Sequence, residues 1–192
     1  MPQTLSDEEL MAQVREGVCE MLGTLFDRYH ARLFNYFVRL TGDRTLSEDL
    51  VQEVFYRILK RRHTYRSGSP FKPWMYQIAR NARHDNFKRR GVELEFEEQM
   101  VEPIKPKDEL SEHEQNQLLH RALLQLPEDK REVLLLSRFQ EMKYSEIAQM
   151  LGCEVGTIKT RVFRAVQELR EVLRELEARP RMRPGTGSAY GM

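Results

Sequence analysis

Tyr144-Ser-Glu-Ile-Ala-Gln-Met-Leu-Gly-Cys-Glu-Val-Gly-Thr-Ile-Lys-Thr-Arg-Val-Phe-Arg-Ala165 is the stretch that decides the fold. Tyr144 to Leu151 has the apolar spacing of a short helix, Gly152 breaks it, and a second helix opens near Val155. Ile147, Ala148, Leu151, Val155, Ile158 and Val162 are spaced to pack the two helices on each other, and small Ala148 allows their close approach. This is a helix-turn-helix pattern. The second helix projects Lys159, Thr160, Phe163 and Arg164 outward. An aromatic ring on a polar face suits contact with a thymine methyl or a sugar. Taken alone, the pattern has a less favoured alternative, an ordinary three-helix core with one exposed ring.

Outward from this stretch the periodicity is helical almost throughout. Ser6 and Glu9 have capping-box spacing at the start of a first helix. An apolar-periodic run from Met21 to Leu40 is broken by Thr41-Gly42-Asp43. Ser47 or Thr45 is predicted to cap the next helix, whose stripe is Leu50, Val51, Val54, Phe55, Ile58 and Leu59. Pro73 suits the first turn of a helix reaching about Arg90. Further helices are predicted over 112–124, from Pro127, over 145–151 and from Val155. The expected architecture is all-α, with two small helical domains at 1–90 and 115–178. A flexible acidic linker with Pro103 and Pro106 joins them over 91–114, and a disordered tail follows at 179–192.

The net charge of +1 hides a strong division. Residues 61–90 hold nine Lys/Arg against one acid, whereas 91–114 hold two against nine. The basic block is a candidate nucleic-acid surface. Its cations are interleaved with Tyr65, Phe71, Trp74, Tyr76 and Phe87. Cations supply phosphate affinity and exposed rings stack on unpaired bases, which suits melted DNA. Trp74 lies near the inward stripe and reads as core. Asp49, Gln52 and Glu53 share a polar helix face that, by itself, is a solvated surface.

Several classes are excluded by what the chain lacks. No apolar run reaches the ~18 residues of a membrane span, and no basic-then-apolar leader opens it, so no membrane insertion and a cytoplasmic location are expected. Cys19 and Cys153 form no CxxC pair, which argues against a disulfide framework or a zinc site. The five histidines show no HExxH spacing, and there is no phosphate loop or nucleophile elbow. The chain reads as no enzyme, with no metal and no cofactor.

Four segments in order carry a family resemblance: Asp49-Leu-Val-Gln-Glu-Val-Phe55, Phe71-Lys-Pro-Trp-Met-Tyr-Gln-Ile-Ala-Arg-Asn81, Leu126-Pro127 with Arg131-Glu-Val133, and Tyr144 to Ala165. Together they resemble an extracytoplasmic-function (group 4) sigma factor of the bacterial sigma-70 family. The match covers roughly residues 20–175. It implies a factor that binds core RNA polymerase, through the β′ clamp helices and the β flap, and directs promoter recognition, melting and initiation. It assigns Asp49, Gln52, Glu53 and Phe55 to core-polymerase binding. It assigns Tyr65, Arg66, Phe71, Lys72, Arg80, Asn81, His84 and Lys88 to the −10 element. It assigns Lys159, Thr160, Arg161, Phe163 and Arg164 to the −35 element, with Arg161 on phosphate. It also implies promoter DNA and an anti-sigma factor as partners. Glu154 departs from the family pattern, which often has Pro there. A stand-alone helix-turn-helix regulator of duplex DNA is the competing reading, but it leaves the basic-aromatic block and the Asp49–Phe55 helix without a role.

The resemblance also places the acidic linker between the polymerase cleft and the RNA exit channel, where its charge would mimic nucleic acid. Replacing Glu93, Glu95, Glu97 and Glu98 by Gln is therefore expected to change the ratio of abortive to full-length transcripts; an unchanged ratio counts against this role.

Overall fold

Helix starts and stops in this protein follow from local chemistry. The computed structural model describes residues 5–91 and 110–178, and among these there are helices and turns but no strand. Helix α1 (Asp7–Arg15) begins at Ser6, whose hydroxyl accepts from the Glu9 N–H at 3.2 Å. The Glu9 carboxylate accepts in return from the Ser6 N–H at 2.7 Å. These bonds hold the Glu9 carboxyl below its ordinary pKa. Helix α2 (Met21–Thr41) stops at Gly42, whose left-handed φ of 78° lets its N–H return to the Val38 carbonyl at 2.9 Å.

Helix α3 (Arg44–Arg61) starts earlier than predicted. The Asp43 carboxylate accepts from the Leu46 N–H at 2.9 Å, so Asp43 is the N-cap, not Thr45 or Ser47. Ser47 is buried inside the helix and its hydroxyl donates to the Asp43 carbonyl. A 3₁₀ turn (Arg62–Thr64) and a loop lead to helix α4 (Phe71–Gly91), with Pro73 in its first turn.

These helices close around Leu25, Leu33, Phe37, Leu50, Val54, Ile58, Met75 and Ala79, all buried. Helix α1 lies over α2 and the start of α4, burying Leu10, Met11 and Val14. Asp7 accepts from Arg28 at 2.6 Å and from the Tyr29 hydroxyl. Glu8 accepts from the Phe71 N–H at 3.1 Å.

The second half comprises α5 (Leu110–Gln125), α6 (Glu128–Leu134), a π turn (Leu135–Phe139), α7 (Tyr144–Leu151) and α8 (Val155–Ala178). Helix α5 begins inside the stretch predicted as linker; residues 92–109 and 179–192, which hold the rest of the predicted linker and the predicted tail, lie outside the described residues. Gly152 takes a left-handed φ of 64°, and the Cys153 N–H reaches the Ala148 carbonyl at 3.0 Å, which turns the chain sharply between α7 and α8. Ile147, Ala148, Ile158, Val162 and Ala165 are buried between the helices, and Leu151 is half-buried. Val155 instead stands 38% exposed, because it is the first residue of α8, at the turn and before the buried stripe that starts at Ile158.

The halves share one apolar cluster, in which Tyr36, Phe37 and Leu40 continue into Leu123, Leu126, Val133 and Leu136. Helix α2 packs on α5, α6 and the π turn, and α4 packs on α7. Asp43→Ala is expected to lower stability by ~0.5–2 kcal/mol in chemical denaturation, whereas Thr45→Ala should cost almost nothing, because only the former removes a cap.

Candidate nucleic-acid interface

The turn fixed by Gly152 and the Ala148–Ile158–Val162 packing hold α8 rigidly, so the side chains on its outer face are presented on a scaffold and not on a loop. Lys159, Thr160, Arg161, Phe163 and Arg164 are all exposed. The Phe163 ring is 64% exposed, the most open of the large hydrophobic side chains among the described residues. The Thr160 hydroxyl donates to the Gly156 carbonyl at 3.0 Å. Glu154, Gly156, Thr157, Thr160, Arg161 and Arg164 line a surface depression at the start of the helix. A helix with cations, a hydroxyl and one bare ring on its outer face has the chemistry of base-edge and phosphate contact.

The basic block divides differently from the sequence expectation. Arg66, His84 and Lys88 are exposed, while Lys72, Arg80 and Asn81 are half-buried. Burial pushes the Lys72 ammonium down from its ordinary pKa. Asn81 accepts from the Gln77 amide at 3.5 Å. Arg80 is held 3.3 Å from the Glu132 carboxylate.

Tyr65 and Phe71 require a correction, since both rings are fully buried and neither presents a face to a base. Tyr65 donates its hydroxyl to the Ser69 carbonyl and meets Trp74 edge-on at 5.1 Å. Burial pushes its phenol up to about 12. Phe71 meets Tyr29 edge-on at 5.5 Å under α1. The physical reason is α1, which covers the start of α4 and closes the pocket over both rings. The exposed ring of the block is Phe87, 45% open and 5.5 Å from the Arg83 guanidinium. The sequence reading counted Phe87 in the block without giving it a role.

On α3, Asp49 and Gln52 are exposed and Glu53 is half-buried. Arg57 donates to Glu53 at 2.6 Å and to Asp85 of α4 at 2.7 Å, which ties the two helices and holds the Asp85 carboxyl below its ordinary pKa. Phe55 is buried, as its place in the apolar stripe predicts, and packs edge-on against Phe26 at 4.9 Å. The exposed rings on this side are Phe26, stacked on His30 at 4.9 Å, and Tyr56. Tyr56 lies off the apolar stripe of α3, so its exposure follows from that stripe, whereas Phe26 is set by how α2 lies on α3. Among the described residues no group of His, Cys, Asp and Glu could hold a metal ion, and no helix is long and apolar enough to cross a membrane.

Two family models match the chain: Sigma-70 region 2 over residues 25–92 and Sigma-70, region 4 over residues 116–169. RNA polymerase sigma factor CarQ of Myxococcus xanthus is 31% identical over 169 residues, spanning 87% of this chain and 97% of CarQ. The chain belongs to the sigma-70 family. Its place among extracytoplasmic-function members follows from relatives such as ECF RNA polymerase sigma factor SigW of Bacillus subtilis, 28% identical over 177 residues, covering 85% of this chain and 95% of SigW. The sigma factor RpoE of Bartonella quintana, solved in complex with the anti-sigma factor NepR, superposes with a TM-score of 0.67 at 26% identity over 79% of this chain and 96% of RpoE. This sigma factor thus carries α1–α4 and α5–α8 in the order the resemblance implied, and its function is that of an RNA polymerase sigma factor.

Phe71→Ala is expected to cost the sigma factor ~3–5 kcal/mol in thermal or chemical unfolding without any DNA present, as removal of a buried ring does. Phe163→Ala should leave unfolding unchanged. Equal stability of both variants would contradict the burial assigned to Phe71.

Proposed function

We propose that residues 1–90 dock on core RNA polymerase and engage the −10 element, while residues 115–178 read the −35 element. The observation that carries this reading is the outer face of α8, where Lys159, Thr160, Arg161, Phe163 and Arg164 stand exposed on a helix locked by its turn. Lys159, Phe163 and Arg164 meet base edges in the major groove, and Arg161 meets phosphate. Arg66 in the loop before α4, and Asn81, His84 and Lys88 on α4, meet the −10 strand, and Phe87 replaces Tyr65 and Phe71 as the ring available for stacking. The polymerase-facing surface is Asp49, Gln52 and Glu53 with exposed Tyr56 beside them, backed by buried Phe55. Docking on the β′ clamp helices and the β flap would set the spacing of the two halves, so that two weak DNA contacts act together.

In this reading the protein does no chemistry of its own; the polymerase makes the phosphodiester bonds. It works in the cytoplasm, where polymerase and promoter are. An anti-sigma factor is a fitting partner, since RpoE, similar in fold and 26% identical, was solved with one.

Run-off transcription with bacterial core polymerase over a promoter library tests the proposal. Initiation at defined start sites should depend on this chain. Arg164→Ala should lower initiation about tenfold at promoters that share a −35 sequence, the ~1–3 kcal/mol of a base contact. Asp49→Ala should lower it at every promoter alike. A chain that neither binds core nor supports initiation, yet shifts duplex DNA alone, would favour the stand-alone regulator.

A further inference from the structure

Helix α1 lies outside residues 25–92, the span matched by the region 2 model, yet it holds the loop from which α4 starts. Glu8, Met11 and Arg15 fall at i, i+3 and i+7, one stripe of α1. Met11, in the middle of the stripe, is buried. At one end the half-buried Glu8 carboxylate accepts from the Phe71 N–H at 3.1 Å. At the other, Arg15 Nη1 donates to the Ser67 hydroxyl at 2.9 Å. The held loop is tightly turned: the Ser69 N–H returns to the Arg66 carbonyl at 3.0 Å, and Gly68 takes a left-handed φ of 78°. Arg66 stands outward on it, exposed and with no hydrogen bond or ion pair on its guanidinium among the described residues. We propose, resting on the reading of Arg66 as a −10 contact, that Glu8 and Arg15 are positioning residues for −10 recognition, which fix the 65–70 loop in the shape that presents Arg66 to the DNA strand.

The chemistry divides α1 into two tasks. The first N–H groups of a helix have no partner within it. An N-cap side chain ordinarily supplies one, but the residue before α4 is Pro70, which has no acceptor on its side chain. Glu8 supplies the acceptor from 63 residues away in the sequence, and its charge complements the positive end of the helix. Arg15 is exposed, and removing it leaves no buried polar group unmet, so its contact serves the loop and not the core. The core under α1 is held by other side chains: Leu10, Met11 and Val14, with Asp7 on Arg28. A loop containing glycine samples several shapes once untethered. Its apparent DNA affinity then falls with the fraction that stays competent.

The test uses the full chain bound to core polymerase, at a promoter mapped by run-off. One probe is a fluorescent non-template strand spanning the −10 element, and the other is a duplex spanning only the −35 element. If about one loop in three stays competent, Arg15→Ala should weaken −10 strand binding about threefold, with −35 binding and core affinity at parent values. Ser67→Ala should act alike, and adding Arg15→Ala to it should weaken binding no further, because both remove the same contact. A further loss in the double variant would mean that Arg15 touches DNA itself, and would overturn the positioning role. Glu8 gives a test of sign. Electrostatics alone makes loss of a carboxylate tighten DNA binding, whereas loss of the tether loosens it. Glu8→Ala is therefore expected to weaken −10 binding, and Glu8→Gln, which keeps an acceptor oxygen, to restore it. Tighter binding by Glu8→Ala overturns the proposal.

Hydrogen exchange of the Ser69 and Phe71 amides in the free chain reads the loop without DNA. It should be faster in Arg15→Ala and Glu8→Ala, with the amides of α8 unchanged; faster exchange throughout would show a general loss of structure and overturn the assignment. Arg66→Ala separates the two levels of the account. If it weakens −10 binding and Arg15→Ala does not, the positioning role falls and the −10 reading of the loop stands. If Arg66→Ala has no effect, the −10 reading falls, and the positioning role with it.

Discussion

The guanidinium of Arg131 holds together the ends of two helices that belong to different halves of the molecule. It donates to the Leu40 carbonyl at the end of α2, and to the Leu124 and Leu126 carbonyls at the end of α5, the latter two at 2.7 and 2.8 Å. The last carbonyls of a helix have no partner within it, and they carry the negative end of its dipole. A half-buried cation at that point satisfies both demands at once. Beside it, His120 lies 3.1 Å from the Val38 carbonyl and the Arg39 guanidinium sits 4.3 Å over the Phe139 ring. These contacts fix how α5 and α6 sit on α2, and through them which side chains of α4 are covered and which remain open.

The same arrangement separates the functional surfaces. The outer face of α8 is turned to solvent, its orientation set locally by Gly152 and by the Ala148–Ile158–Val162 packing. The cations of α4 are divided between solvent and the interface of the two halves, with His84 and Lys88 open and Arg83 enclosed.

Much of this was legible in the residues themselves. The helix-turn-helix could be read because its chemistry is local: a left-handed turn needs glycine, and the apolar spacing on either side places the packed face. The Ser6–Glu9 cap and the stop at Gly42 were readable for the same reason. The identity of the α3 cap was not, since Asp43, Thr45 and Ser47 all have the right chemistry and only the backbone path chooses among them. Tyr65 and Phe71 were misplaced because an aromatic in a basic loop looks the same whether it stacks on a base or packs under a distant helix. What decides is α1, more than fifty residues away. The Arg83–Glu128 and Arg80–Glu132 pairs, 45 and 52 residues apart, leave no periodic trace at all.

The central claim is that tight promoter binding belongs to the complex with polymerase and not to this chain alone. The most direct measurement is the affinity of one promoter duplex, carrying both elements, for the chain alone, for core polymerase alone and for the two together, at a fixed salt concentration. The account predicts a tight, sequence-selective complex only when both proteins are present. Equally tight and selective binding by the chain alone would contradict it.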